Sequence, residues 1–265
     1  MRGPVSFAFA LLALLSPQLA VAQMQPHHAV YGLRLGAAVN APRIGTAVQD
    51  LTQDCTGWHL KRDINTEIAV TSAWKISVAS KLDAEEALSG NVLRYRTVQT
   101  QNGAERETRG RVQRSGSSKE MRADIVTPAG PNQFVLPPPT LLPVAAINHL
   151  IERLGAKAAS FPALAFDAEV AGDAFLVDVT ELNDGDIRPS SPGDRPAILP
   201  RTKAWPVFMS FTRGRQQNQK PLFSVKGIVF ANGVLDRLTV DTGLVQVTAD
   251  LHELKLGTAP VCPRS

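Results

Sequence analysis

Between Trp58 and Val70 the chain alternates. Trp58, Leu60, Ile64, Ile68 and Val70 stand on even positions, and His59, Lys61, Asp63, Asn65 and Glu67 on odd ones. Successive side chains of a strand point to opposite faces, so the pattern gives one apolar face and one wet face. Alternation of this length is long for a strand and points to an antiparallel sheet solvated on one side. Arg62 is the one charged residue among the even positions.

The same period recurs along the chain. Trp74, Ile76, Val78 and Leu82 oppose Lys75, Ser77 and Lys81, which predicts a strand over 74–82 after a tight turn at Thr71 to Ala73. Further strands are predicted over 28–36, 45–52, 91–101, 104–114, 119–126, 174–182, 204–213, 221–231, 234–241 and 244–255. Asn102-Gly103 and Asn232-Gly233 mark hairpins, since both residues tolerate positive φ. Residues 127–143 read as a connection rich in proline and glycine, and 184–202 as a polar loop. One amphipathic helix is predicted over 143–155. Pro143 suits its first turn, and Ile147, Leu150, Ile151 and Leu154 fall at i, i+3, i+4 and i+7. Arg153 lies in its last turn, and Gly155 can close it. About a dozen strands and one helix predict an all-β fold, a barrel-like or spiral antiparallel sheet.

Met1-Arg2, the apolar run Phe7 to Leu15, the break at Ser16-Pro17-Gln18 and the small residues Ala20-Val21-Ala22 are the parts of a secretory signal peptide in order. Residues 1–22 are therefore expected to be removed by cleavage after Ala22, leaving 23–265 as a single β domain. Gln23 follows the cut, which excludes a lipid anchor there. The apolar run is too short to span a bilayer, and no later window approaches the roughly 20 apolar residues that a span needs. Export makes Cys55 and Cys262 informative, because disulfides persist in oxidising compartments. They have only each other to pair with; the alternative is two buried free thiols. A formal net charge of +4 is too mild to argue for nucleic acid.

Little in the sequence points to catalysis. Asp241-Thr242-Gly243 follows an apolar run, as in aspartic proteases, but that chemistry needs two aspartates sharing a proton, hence a homodimer. The simpler reading is a hairpin turn. His27, His28, His59, His149 and His252 lack the spacing of a zinc site, and His27-His28 lie next to the expected mature N-terminus. No metal or other cofactor is implied. The basic run Arg94, Arg96, Arg106, Arg109, Arg111, Arg114, Lys119 and Arg122, against Glu105, Glu107 and Glu120, is the candidate for contact with an anionic polymer, lipid phosphate or acidic protein face. A solvated strand face is the usual explanation of such a run. Trp58, Trp74, Trp205 and Phe208 read as core or as a cavity lining.

In their order, several segments resemble the cell envelope integrity protein EipB family: the His27-x-Ala29-x-Tyr31-x-Leu33 start, Asp54-Cys55-Thr56-Gly57-Trp58, and Leu136-Pro137 to Pro143 before a helix. Ala204-Trp205-Pro206-Val207, Asn232-Gly233-Val234, Asp241-x-Gly243 and the near-terminal Cys262 continue the match. The resemblance implies a periplasmic, cup-like β-spiral of about fourteen strands with a helix lying by the cup and a Cys55–Cys262 disulfide. It also implies a non-enzymatic role in envelope integrity during division and stress, with a tetratricopeptide-repeat partner in the periplasm. Pro143-Val144-Ala145-Ala146 departs from the Pro-Thr start of the family's helix. Three functions follow for comparison: a protein that binds a partner or envelope polymer, a carrier of a lipid or other apolar ligand in the cup, and a dimeric aspartic protease.

Overall fold

The computed structural model describes residues 24–263 apart from 39, 70–74, 116–119, 171–172, 190–201 and 215–219. The expected signal peptide, the Thr71 to Ala73 turn, Trp74 and Lys119 lie outside the described residues. One antiparallel sheet of 14 strands dominates. From its middle, β1 (His27–Leu35), β2 (Arg43–Gln53), β3 (Gly57–Ala69), β4 (Lys75–Ala87), β5 (Val92–Gln101), β6 (Ala104–Arg114), β7 (Met121–Thr127) and β8 (Gly130–Leu136) run to one edge. In the other direction β14 (Gln246–Leu256), β13 (Leu235–Asp241), β12 (Phe223–Phe230), β11 (Ala204–Arg213), β10 (Ala174–Glu181) and β9 (Ser160–Phe166) run to the opposite edge. All neighbours are consecutive in sequence except β1 and β14, which join the first and last strands at the centre, with His27 opposite Leu256. The two edges do not pair, so the sheet curls into an open cup.

The expected all-β class, antiparallel spiral and single α-helix are all present among the described residues. Two edge strands escaped the periodicity, and each carries a proline: Pro131 in β8 and Pro162 in β9. Proline cannot donate to a ladder and is tolerated in a sheet where one side needs no partner. Both proline-bearing segments, β8 from within the region that reads as a proline-rich connection, are thus tolerated as strands because they lie at the rim. β4 continues to Ala87, beyond the expected 82, because its inner face carries Ala84 and then a charged residue, Glu86, which breaks the apolar count.

Helix α1 (Pro143–Gly155) connects the two edges and lies against the concave face. Val144 packs into a core with Leu51, Leu60, Leu93, Val112 and Leu136 from the β2–β8 side. Leu150, Ile151 and Leu154 pack into a second core with Phe161, Val177, Val207 and Val229 from the β9–β12 side. Ile147 touches both. The i, i+3, i+4, i+7 stripe therefore joins two halves of one sheet. A third core, with Ala29, Tyr31, Ile228, Phe230 and Leu251, sits where β1 meets β14. Gly155 is the last helical residue; the turn out of the helix is made by Lys157 at φ 61°. Just before the helix, Leu141 bridges β9: its N–H donates to the Leu164 carbonyl at 2.7 Å, and its own carbonyl accepts from the Phe166 N–H at 2.9 Å.

Candidate binding surfaces

The helix lacks a side-chain cap of its own. Its N-cap residue is Leu142, and Pro143 brings no N–H. The cap comes instead from the sheet: the Glu86 carboxylate accepts from the Val144 N–H at 2.7 Å and the Ala145 N–H at 2.8 Å. Glu86 is only 3% exposed. Burial pushes its carboxyl up to about 7, while the two helix N–H donors pull the other way. The folded value lies above the unfolded 4.5, so between these pH values the fold holds a proton that the unfolded chain releases. The contribution to stability is complete below pH 4.5 and disappears as pH rises through about 7. It amounts to about 3 kcal/mol. His27, whose pKa is lowered by burial, acts in the opposite direction near neutrality. We therefore predict that wild type loses stability relative to Glu86→Gln between pH 5 and 8, read as the difference of two melting curves at each pH. Parallel curves across that range would contradict this account of Glu86.

Arg62, the exception in the β3 alternation, points inward with its even neighbours. Its guanidinium lies 3.2 Å from the Glu169 carboxylate, which also accepts from the Ser80 hydroxyl at 2.6 Å. The Asp167 carboxylate accepts from the Glu169 N–H at 2.8 Å, folding the segment after β9 over the inner face. A cavity of about 210 Å³ lies at the seam between the first two cores, walled by Leu60, Leu82, Ile147, Phe166, Phe175 and Phe211, with Arg62 and Asp167 also lining it. Trp58 and Trp205 are buried in separate cores, and Phe208, half-buried, is on the face of β11 opposite Trp205; these aromatics do not meet in one cavity.

The six candidate arginines divide between the two faces. Arg94, Arg96, Arg109 and Arg111 are on the outer face, with Arg94 directly opposite Arg111 and Arg96 opposite Arg109. Arg106 shares the parity of buried Val112, as does Arg114, which is half-buried and donates to the Thr140 carbonyl at 3.4 Å. Across the outer face charges mostly alternate: Lys255, His28, Asp50, Lys61, Asp83 and Arg96 stand opposite one another from β14 to β5. Glu107 bridges Arg96, at 2.6 Å, and Arg109. The neighbouring row runs Glu85, Arg94, Arg111 and Asp124, and its two arginines have no ion-pair partner within 4.0 Å among the described residues. Like charges directly opposite each other in a ladder are destabilising.

The other sequence candidates are structural. Cys55 and Cys262 are bonded, with Cα atoms 5.5 Å apart. The turn that presents Cys55 is built by Asp54, whose carboxylate accepts from the Thr56 N–H at 2.7 Å, the Thr56 hydroxyl at 2.7 Å, the Gly57 N–H at 2.9 Å and the His59 ring at 2.8 Å. Those bonds, led by His59, hold the Asp54 carboxyl well below the usual carboxylate range. Gly57 must be glycine, since a Cβ there would lie 2.5 Å from the Glu86 carbonyl oxygen. Asp241 sits in the β13–β14 turn, accepting from the Gly243 N–H at 2.7 Å and the Gln246 amide at 2.8 Å, which hold its carboxyl below its ordinary value. His27 is buried in β1, at the centre of the sheet. Among the described residues no His, Cys, Asp or Glu group could hold a metal ion, and no helix is long and apolar enough to cross a membrane.

No curated protein matches the sequence. The fold is similar to the crystal structure of a β-barrel-like protein of the domain of unknown function DUF1849 from Brucella abortus, with TM-score 0.75 and 18% identity over 89% of this chain and 99% of that one. The EipB-like family model matches residues 18–257, which takes in all the strands but no more than the start of the tail that carries Cys262. On that match the chain belongs to the EipB-like family.

Proposed function

We propose that this chain is an exported, non-catalytic protein of the cell envelope. Residues 1–22 act as a signal peptide cut after Ala22, and 23–265 work as one binding unit in the periplasm. It acts by holding an anionic group, of an envelope polymer or of a periplasmic partner protein, on the outer face of β5 and β6. The observation that carries the reading is the Arg94–Arg111 pair. Two exposed guanidinium groups stand opposite each other without a carboxylate between them, in a sheet whose other facing charges are largely matched. Two such forks suit bidentate recognition of a carboxylate or phosphate. The Cys55–Cys262 disulfide supports an oxidising compartment. The interior supports a lipid carrier poorly: at about 210 Å³ the cavity is smaller than the roughly 300–1,000 Å³ of small-molecule pockets.

The test is binding of the purified mature protein to isolated envelope polysaccharide and to envelope extract, at low and physiological ionic strength. Arg94→Glu with Arg111→Glu should weaken binding at least about tenfold at low salt, and screening should shrink that difference. Arg106→Glu, on the other face, should leave binding unchanged. Equal weakening by Arg106→Glu, or unaltered binding by the double variant, overturns the reading.

A further inference from the structure

We infer that the cavity beneath α1 is a binding site for a small neutral molecule with an apolar body and a single hydroxyl, such as an alkylphenol. The inference rests on the interior and is independent of the outer-face reading. The cavity exists because the helix stripe divides its packing between two cores, leaving a gap at the seam between Leu60 and Leu82 on one side and Phe175 and Phe211 on the other. Apolar cavities of about 150 Å³ already admit benzene, and this one is about 210 Å³. That is room for a ring with a short alkyl group, and too little for an acyl chain.

The polar end narrows the chemistry. Arg62 lines the cavity, and its Nε is buried with no hydrogen-bond partner among the described residues. A buried donor left unmatched is costly, so an acceptor oxygen at that point is favoured. Nearby Tyr95, 5% exposed, packs its ring 5.9 Å from the ring of the cavity wall residue Phe166, and its hydroxyl is also without a partner among the described residues. An anionic head is disfavoured, because Arg62 already faces Glu169 at 3.2 Å and Asp167 lines the same space. A cationic head would compete with the Arg62 guanidinium. A neutral hydroxyl satisfies both sides: it accepts from the Arg62 Nε–H and donates to the Asp167 carboxyl.

The experiment uses the oxidised mature protein with 4-ethylphenol, ethylbenzene and 4-ethylbenzoate as probes, followed by saturation-transfer NMR and titration of amide shifts. 4-Ethylphenol should bind, with shifts at Ile147 and Phe166, about tenfold more tightly than either of the other two. Arg62→Met should reduce its affinity to that of ethylbenzene. Ile147→Trp, or Ala146→Leu where the tryptophan variant does not fold, should fill the space and abolish binding. The inference is overturned by a cavity that holds water only, seen as no transfer to any probe at millimolar concentration. It is equally overturned by ethylbenzene binding as well as the phenol, by an Arg62→Met affinity equal to wild type, or by binding that survives in the filled variants.

Discussion

Arg188→Met should destabilise the protein by about 3–5 kcal/mol, because it removes the guanidinium from a buried ion pair. Arg188 follows a short 3₁₀ turn (Asp184–Asp186) and reaches into the β13–β14 half of the sheet. Its guanidinium meets the two Asp250 carboxylate oxygens at 2.7 and 3.0 Å and donates to the Leu238 carbonyl at 3.3 Å. The side chains are 10% and 1% exposed, so the pair is held out of water, where the loss of a guanidinium is costly. For a chain of this size each kcal/mol shifts the melting temperature by about 2–4 °C, which makes the expected fall about 10 °C. The double variant Arg188→Met/Asp250→Leu should recover most of the loss, since replacing both members of a buried pair by apolar groups is often neutral. A double variant no more stable than the single one would show that this pair is not the source.

Breaking the disulfide should have an effect of similar size by a different route. Cys55 and Cys262 are 207 residues apart, and the chain-entropy model gives about 5 kcal/mol for a loop of that length. The native structure itself should change little. β1 and β14 already hold the two ends of the chain together along nine residues of β1, from His27 opposite Leu256 to Leu35 opposite Val247. Beyond Gly257, whose N–H donates to the Pro26 carbonyl at 2.7 Å, the described tail is exposed. Cys55→Ser should therefore keep the native β-sheet circular-dichroism signal yet unfold at lower denaturant. Its m-value should also be steeper, because the unlinked denatured chain is more expanded. Reduction of wild type should reproduce both changes. An unchanged midpoint in the serine variant would refute the denatured-state argument.

Much of the architecture could be read from the residues because it rests on local periodicity. The two-residue alternation through Trp58, Leu60 and Ile64 specified a strand with one wet face, and the stripe through Ile147, Leu150, Ile151 and Leu154 specified the helix to within its observed ends. The rim strands β8 and β9 were hidden by Pro131 and Pro162, whose tolerance depends on lying at an edge, a property of the sheet rather than of the segment. Arg62 looked like a fault in an apolar face, and Glu86 lay beyond the predicted end of its strand. Each is explained only by a partner far along the chain, Glu169 for one and the α1 N-terminus for the other.

The candidate site shows the same division. Sequence supplied a cluster of arginines, but pairing register decided that Arg94 faces Arg111, that Glu107 ties Arg96 to Arg109, and that Arg106 and Arg114 belong to the other face. By itself the sequence determined strands, turns, the helix and two cysteines with only each other to bond, since these follow from side-chain period and composition. Tertiary structure alone decided which strand became an edge, which charges met and where the two cores left a gap. Those depend on distances between residues that no local pattern encodes.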